Sequence, residues 1–253
     1  MPELKALIFD VDGTLADTER DGHRVAFNLA FADAGLNWDW TVDIYEDLLS
    51  VTGGKERMKF FLDKYQPNFE APDDLAAYIA DMHKAKTAHY TELLSKGLIP
   101  LRPGVERLLN EARDQGLRLA IATTTTPENV SALLTHTLGA ESMDWFEVIA
   151  AGDIVPAKKP APDIYDWALE KMNLKAEECI AFEDSRNGVL SSLAAHLKTV
   201  ITINDYTKDH DFTNAAIVLD QYGEPSSPFT LIAGDAHGFD FVNIEMIKAL
   251  HTA

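Results

Sequence analysis

Two aspartates one residue apart, Asp10 and Asp12, close a short apolar run of Leu7, Ile8 and Phe9 and are followed by Gly13, Thr14 and Leu15. Side chains alternate along a strand, so an Asp-x-Asp pair that continues one shares a face. At the strand end Gly13 permits a tight turn, and both carboxylates can then converge on one small ligand. Acids this close repel each other and shift each other's pKa values. A hard cation such as Mg2+, which takes oxygen ligands and bridges to substrate phosphate, relieves that repulsion. Standing alone, the same residues also fit a surface turn, because Asp and Gly are common turn formers.

Other chemistry-bearing residues follow apolar runs in the same way. Leu119, Ala120, Ile121 and Ala122 lead into Thr123, Thr124, Thr125 and Thr126. Val148, Ile149 and Ala150 lead through Gly152 and Asp153 to Lys158, Lys159 and Pro160, and Ile180, Ala181 and Phe182 end in Glu183, Asp184 and Ser185. Taken singly these are a loop or cap, a solvated turn and a helix N-terminus. Together they are a set suited to a phosphoryl group and a metal, placed where open parallel sheets bind ligands, beyond the carboxyl ends of the strands.

The elements that must carry them are legible. Past Leu101, Arg102, Pro103 and Gly104 the pattern predicts helix 104–115, strand 118–122, helix 128–138 and strand 147–150. Helix 163–172, strand 179–182, helix 188–195 and strand 199–203 follow. That alternation predicts an α/β fold, a doubly wound parallel sheet. Between about 22 and 96 there is no buried-strand run. Val25, Leu29 and Ala32, then Met58, Phe61 and Leu62, then Leu75, Ala76, Ile79 and Met82 repeat at helical spacing. The expected division is a core of 1–16 and 98–253 with an all-helical insert, 17–97. The tail past Asp220 carries no assigned chemistry; 239–250 mixes alternation and helix formers, and packing on the core's edge is expected.

In order and spacing, Asp-x-Asp-Gly-Thr-Leu and the three later groups resemble the four motifs of the haloacid dehalogenase-like (HAD) phosphohydrolase superfamily, over essentially the whole core. The resemblance implies a Rossmann-like core with an inserted helical cap, and phosphoryl transfer dependent on Mg2+. Such transfer needs an in-line nucleophile, charge neutralisation and protonation of the leaving oxygen. Asp10 is then the nucleophile that forms an aspartyl-phosphate, and Asp12 the general acid and later base. Thr123 offers its hydroxyl and loop N–H groups, and Lys159 fixed positive charge, with Lys158 its exposed neighbour. Asp10, the Asp12 carbonyl and Asp184 would hold the metal, with Glu183 in or beside that shell. An acid at position 12 argues against the dehalogenase branch, which has no leaving alcohol to protonate.

Inside the insert, Gly53 and Gly54 precede Lys55, Glu56 and Arg57, paired glycines and two cations at a helix start. This makes an anion cradle, or an ordinary turn with solvated charges. His83, Lys84, Lys86 and Thr87 form a second cationic group, with His83 and Lys86 near one face of a later helix. These stretches, with Asp17 to Arg24, Leu101 to Gly104 and Lys158 to Pro160, are similar to the CbbY family from about residue 4 to 220. Those phosphatases of photosynthetic organisms and chemoautotrophs remove xylulose-1,5-bisphosphate, an inhibitory misfire product of Rubisco. The resemblance implies that the core processes one phosphate while the cap holds the other. Asp17, His23, Gly54, Lys55, Arg57, His83, Lys86 and Thr124 would contact substrate. Asp17 stands where some bacterial members carry Glu. The spelling of residues 20–23 is closer to the plant-type branch, though no transit segment precedes it.

Two other readings share these motifs: a phosphosugar mutase resembling beta-phosphoglucomutase, and a non-enzymatic interaction module on the same fold. Composition narrows the classes further. At 253 residues the chain can bury a core and a smaller appended domain, and 46% hydrophobic with 25% charged residues is an ordinary globular balance. A net charge of −19 argues against nucleic acid as partner, so any phosphate site is a local basic pocket. The single Cys179 excludes an internal disulfide and fits a reducing compartment. No apolar run approaches a membrane span. The expectation is a soluble monomer acting on a small phosphorylated sugar, in the cytoplasm, or in the chloroplast stroma as a mature form.

Overall fold

The computed structural model describes residues 2–253. Its centre is strand β1, Ala6–Phe9, whose four residues are all buried. A strand covered on both faces reads as an unbroken apolar run, which is why the stretch before Asp10 lacks polar alternation. Alternate side chains still go to opposite sides. Leu7 and Phe9 join one hydrophobic cluster, and Ala6 and Ile8 the other.

Around β1 lie β2 (Arg118–Ala122), β3 (Phe146–Ala150), β4 (Cys179–Glu183), β5 (Lys198–Thr202), β6 (Ile217–Leu219) and β7 (Leu231–Gly234). The order is β3-β2-β1-β4-β5-β6-β7, parallel throughout except for the antiparallel β6–β7 pair. The doubly wound α/β fold expected from the sequence is present. Strands β1 and β4 run in register, Phe9 beside Phe182, so Asp10 and Glu183 leave the sheet at the same end.

Helices cover both faces. α5 (Val105–Asp114), α6 (Pro127–Leu138) and α9 (Ile244–Thr252) supply Leu108, Leu133 and Ile247 to the Leu7 side. α7 (Asp163–Met172) supplies Ile164 and Ala168 to the Ile8 side, and α8 (Arg186–Ala194) follows β4. The tail is thereby resolved. Asn243 accepts from the Met246 N–H as N-cap, and α9 buries Ile244, Met246, Ile247 and Leu250. Strands β6 and β7 extend the sheet beyond the elements read from sequence; β7 is exposed along its length, which explains its weak pattern.

Between β1 and α5 lie a π-helical turn, Glu19–His23, and helices α1 (Arg24–Asp33), α2 (Val42–Leu48), α3 (Gly54–Tyr65) and α4 (Leu75–Ser95). They have their own cluster, built on Phe27, Phe31, Trp40, Tyr45, Phe61 and Met82. The expected face of α1 was wrong. Leu29 is 40% exposed, whereas Ala26, Phe27, Ala30 and Phe31 are buried. Turning Phe27 and Phe31 inward removes far more apolar area than Leu29 and Ala32 would, and the aromatic pair sets the rotation. Ala76 of α4 is likewise exposed. The connections to this segment meet at an antiparallel bridge, Ala16 to Leu101. No helix of the described residues is long and apolar enough to cross a membrane.

Candidate active site

The strand ends converge on a cleft of about 220 Å³ lined by Asp10, Asp12, Thr123, Lys159, Glu183 and Asp184. Lys159 is 5% exposed, and its Nζ donates to Asp10 Oδ1 (2.7 Å), Glu183 Oε1 (2.5 Å) and Ala122 O (2.8 Å). An ammonium has three donors, and all are used. Burial alone would lower the Lys159 pKa, but the Asp10 and Glu183 charges raise it well above the ordinary lysine value. The site's positive charge is fixed.

Asp10, Glu183 and Asp184 each place a carboxylate oxygen within 4.8 Å of the others. Burial raises the Asp184 carboxyl above the usual range, and Asp10 and Glu183 push it further. Burial also raises Asp10, which Lys159 pulls down and Glu183 and Asp12 push up. Such a buried, oxygen-only set fits a hard divalent cation. Gly13, at φ 81°, is flush against it, and a Cβ there would run into Asp184 and Asn204. Glu183 faces elsewhere: Lys159 and the Tyr165 hydroxyl, each at 2.5 Å, take its Oε1. Gly188 packs directly on its carboxylate.

Asp12 looks towards the helices. Its Oδ1 accepts from Thr18 Oγ1 (2.5 Å) and lies 2.8 Å from His23 Nε2, while His23 Nδ1 is 2.8 Å from Lys86 Nζ. An ammonium only donates, so a charged Lys86 makes Nδ1 the acceptor and leaves an Nε2–H for Asp12. Burial raises the Asp12 carboxyl, but His23, Thr18 and Lys86 outweigh it and hold it below the usual range. The Tyr90 ring packs on His23 with centroids 4.2 Å apart. His23 closes the π-helical turn Glu19–His23 and is buried.

The four threonines divide their work. Thr123 and Thr124 line the cleft, whereas Thr126 caps α6 by accepting from the Asn129 N–H and Thr125 accepts from the Asn129 side chain.

His23, Gly54, Arg57, His83, Lys86 and Thr124 share one small cavity beside Asp12, and several of them also reach neighbouring clefts. Arg57 is in the main cleft, 7% exposed, donating to the Tyr45 hydroxyl (2.8 Å) and 3.6 Å from Glu19. Among the described residues its Nε has no hydrogen-bond partner. Lys55 pairs instead with Asp153 and lines a second cleft with Gly54, His83, Thr124 and Lys158. Lys158, expected to be an exposed neighbour, is only 16% exposed because it donates to the same Asp153 (2.8 Å). His83 is not a cation near neutrality: burial, with Lys86 and Lys55 adding, pushes it down to about 3. Gly54 allows the start of α3 to pack on His83. Asp17 is 64% exposed and lies 3.5 Å from Arg102 Nε at a third cleft, on the hinge side.

Sequence reasoning missed Glu19, Tyr45, Tyr165 and Asn204. Tyr165 reads as an ordinary apolar position of α7. Asn204 reads as a turn residue, and only its neighbour Asp184 in space gives it meaning.

The chain belongs to the haloacid dehalogenase-like hydrolases, whose family model matches residues 4–196. Within that family it is a phosphatase of the CbbY type. It is 53% identical over 214 residues to protein CbbY of Rhodobacter capsulatus, covering 84% of this chain and 91% of that one. It is 43% identical over 249 residues to the plasmid CbbY of Cupriavidus necator, covering 98% and 97%. A crystal structure of Rhodobacter sphaeroides CbbY with phosphate superposes with a TM-score of 0.80 at 44% identity, covering 86% of this chain and 94% of that one. A D10N mutant of the same protein was crystallised with xylulose-1,5-bisphosphate.

Proposed function

We propose that this chain is a magnesium-dependent phosphatase that hydrolyses xylulose-1,5-bisphosphate to xylulose-5-phosphate through an aspartyl-phosphate. The observation that carries the reading is the buried Lys159–Asp10 contact beside Asp184 and Asp12. It joins a nucleophile, a fixed cation, a metal-competent acid pair and a separate proton carrier in one cleft at the carboxyl edge of the sheet. The substrate rests on the D10N complex of the R. sphaeroides relative.

Mg2+ held by Asp10 and Asp184, with Glu183 behind, would offset the negative charge that acids and phosphoryl group bring together. Asp10 attacks phosphorus as the bond to the sugar oxygen breaks, and Lys159 balances charge on the transferring oxygens. Asp12 gives its proton to the leaving oxygen. An arriving phosphoryl group is a like charge, which favours the protonated Asp12 needed there. Asp12 then takes a proton from water, whose oxygen attacks phosphorus and frees Asp10. Residues 17–97 act as a cap over this centre, turning at the Ala16–Leu101 bridge, with Arg57 and Lys55 as anchors for the phosphate that is not transferred. The Arg57 Nε, which has no hydrogen-bond partner among the described residues, supports that role.

The test is a panel of pentose and hexose mono- and bisphosphates. Fastest magnesium-dependent phosphate release from xylulose-1,5-bisphosphate is expected. An isomerised sugar phosphate without net phosphate release would make the chain a mutase, and preference for monophosphates would overturn the substrate.

A further inference from the structure

Asn204 lies past the end of β5, outside all four motifs, in a turn the reaction scheme above does not use. Its Nδ2 donates to Asp184 Oδ2 at 2.7 Å, and among the described residues it is the one hydrogen-bond donor to that carboxylate. The amide cannot turn round. Its Oδ1 accepts from the Tyr206 N–H (2.9 Å), and its own N–H donates to Thr207 Oγ1 (3.0 Å). The turn therefore fixes which end of the side chain faces Asp184.

The surroundings hold this pair from two more sides. Gly13 stands so close that a Cβ there would approach Asn204 Nδ2 to 2.7 Å and collide with Asp184. Behind both, the Arg102 guanidinium is 6% exposed. It donates to the carbonyls of Gly13 and Thr202, and to those of Ile203 (2.5 Å) and Asp220 (2.7 Å). One buried cation thus ties the loop after β1 to the residue immediately before Asn204.

We propose that Asn204 is a positioning residue of the metal centre: it occupies Asp184 Oδ2, fixes the carboxylate's rotation and presents Oδ1 to the divalent cation, with Arg102 anchoring its backbone. A carboxylate free to rotate meets a cation in many orientations, and one held by a neighbouring donor meets it in few. Partners of this kind are typically worth about 10- to 100-fold in metal affinity. The inference rests on the reading that Asp10 and Asp184 hold the metal.

The ordinary alternative is that Asn204 only shapes its turn. Asn204→Ser separates the two roles, because serine closes the same kind of turn through its hydroxyl yet is too short to replace the amide at Asp184. Mn2+ titration of the full chain, read by the loss of the free-ion electron paramagnetic resonance signal, gives Kd without substrate. Asn204→Ser should raise Kd by about 10- to 100-fold, leave the metal-free Tm close to wild type, and recover kcat at saturating metal. An unchanged Kd would overturn the proposal, as would a weakened Kd accompanied by a collapsed metal-free Tm. If the wild type itself fails to bind Mn2+, the metal reading fails rather than the role of Asn204.

Discussion

His23 Nε2 lies 2.8 Å from Asp12 Oδ1, although the two belong to different structural units. Asp12 hangs from the sheet and His23 from the first turn of the helical segment, so the proposed proton carrier is set partly by the insert. Asp12→Asn should lower kcat by about 10²–10⁴-fold, the usual worth of a general acid–base. The loss should be smallest for aryl phosphates, whose leaving groups need no proton. Equal losses across leaving groups of widely different pKa would rule out this role.

Asp10→Asn should abolish phosphate release while circular dichroism and bisphosphate binding stay near wild type. Acid-quenched protein should then carry no labelled phosphate. Near-wild-type turnover in this variant would remove Asp10 as nucleophile.

Lys86 gives a pH dependence. Burial drags its pKa down to about 8, against the pull of Asp12 and Glu19. Below that pH the amine is charged and only donates to His23; above it the positive charge is lost, and the neutral amine no longer fixes Nδ1 as the acceptor. kcat/KM should fall as pH rises through about 8, and Lys86→Met should lower the plateau and remove that limb. Stability runs the other way. The native state releases this proton before the unfolded chain, whose lysine titrates near ~10.4. The group's favourable share is therefore full above that value and gone below about 8. A pH–rate profile with the same alkaline limb in Lys86→Met would assign it to another group.

Lys55 is held by Asp153 in the second cleft. If it swings to the non-transferred phosphate, Lys55→Ala forfeits a charge-assisted contact of about 1.5–3 kcal/mol. That is roughly 10- to 150-fold in kcat/KM for bisphosphates, with a small monophosphate largely spared. Equal loss on both substrates would mark Lys55 as a clasp between helices and core, and no loss on either would mark a solvated charge.

Arg57 carries a stability prediction. Arg57→Ala leaves Glu19 and the Tyr45 hydroxyl facing an empty space in a mostly buried cluster. Removing one partner of a buried pair costs roughly 3–5 kcal/mol, here reduced by the water that reaches Glu19. Urea unfolding should show the midpoint falling with the slope unchanged. An unchanged midpoint would mean that Arg57 is not structurally coupled to Glu19.

The sheet and the strand-end chemistry follow from local pattern alone. Buried parallel strands must be continuous apolar runs, and the polar residues that end them must point where ligands bind. Asp10, Asp12, Thr123, Glu183 and Asp184 stood out for that reason, since each lies at or just past the end of such a run, whereas Lys159, in the loop beyond β3, stood out from Lys158 only through the family resemblance. The insert was legible as helices and less so as faces: Leu29 points out because packing area, and not spacing alone, sets a helix's rotation. Pairing across distance emerges only in the folded chain. Lys55 to Asp153, Arg57 to Tyr45 and Glu19, Lys86 through His23 to Asp12, and Asn204 to Asp184 join residues from 11 to 98 positions apart. No local pattern encodes such contacts, because they depend on how the helices settle against the strand ends, where burial and charge select one partner among several candidates.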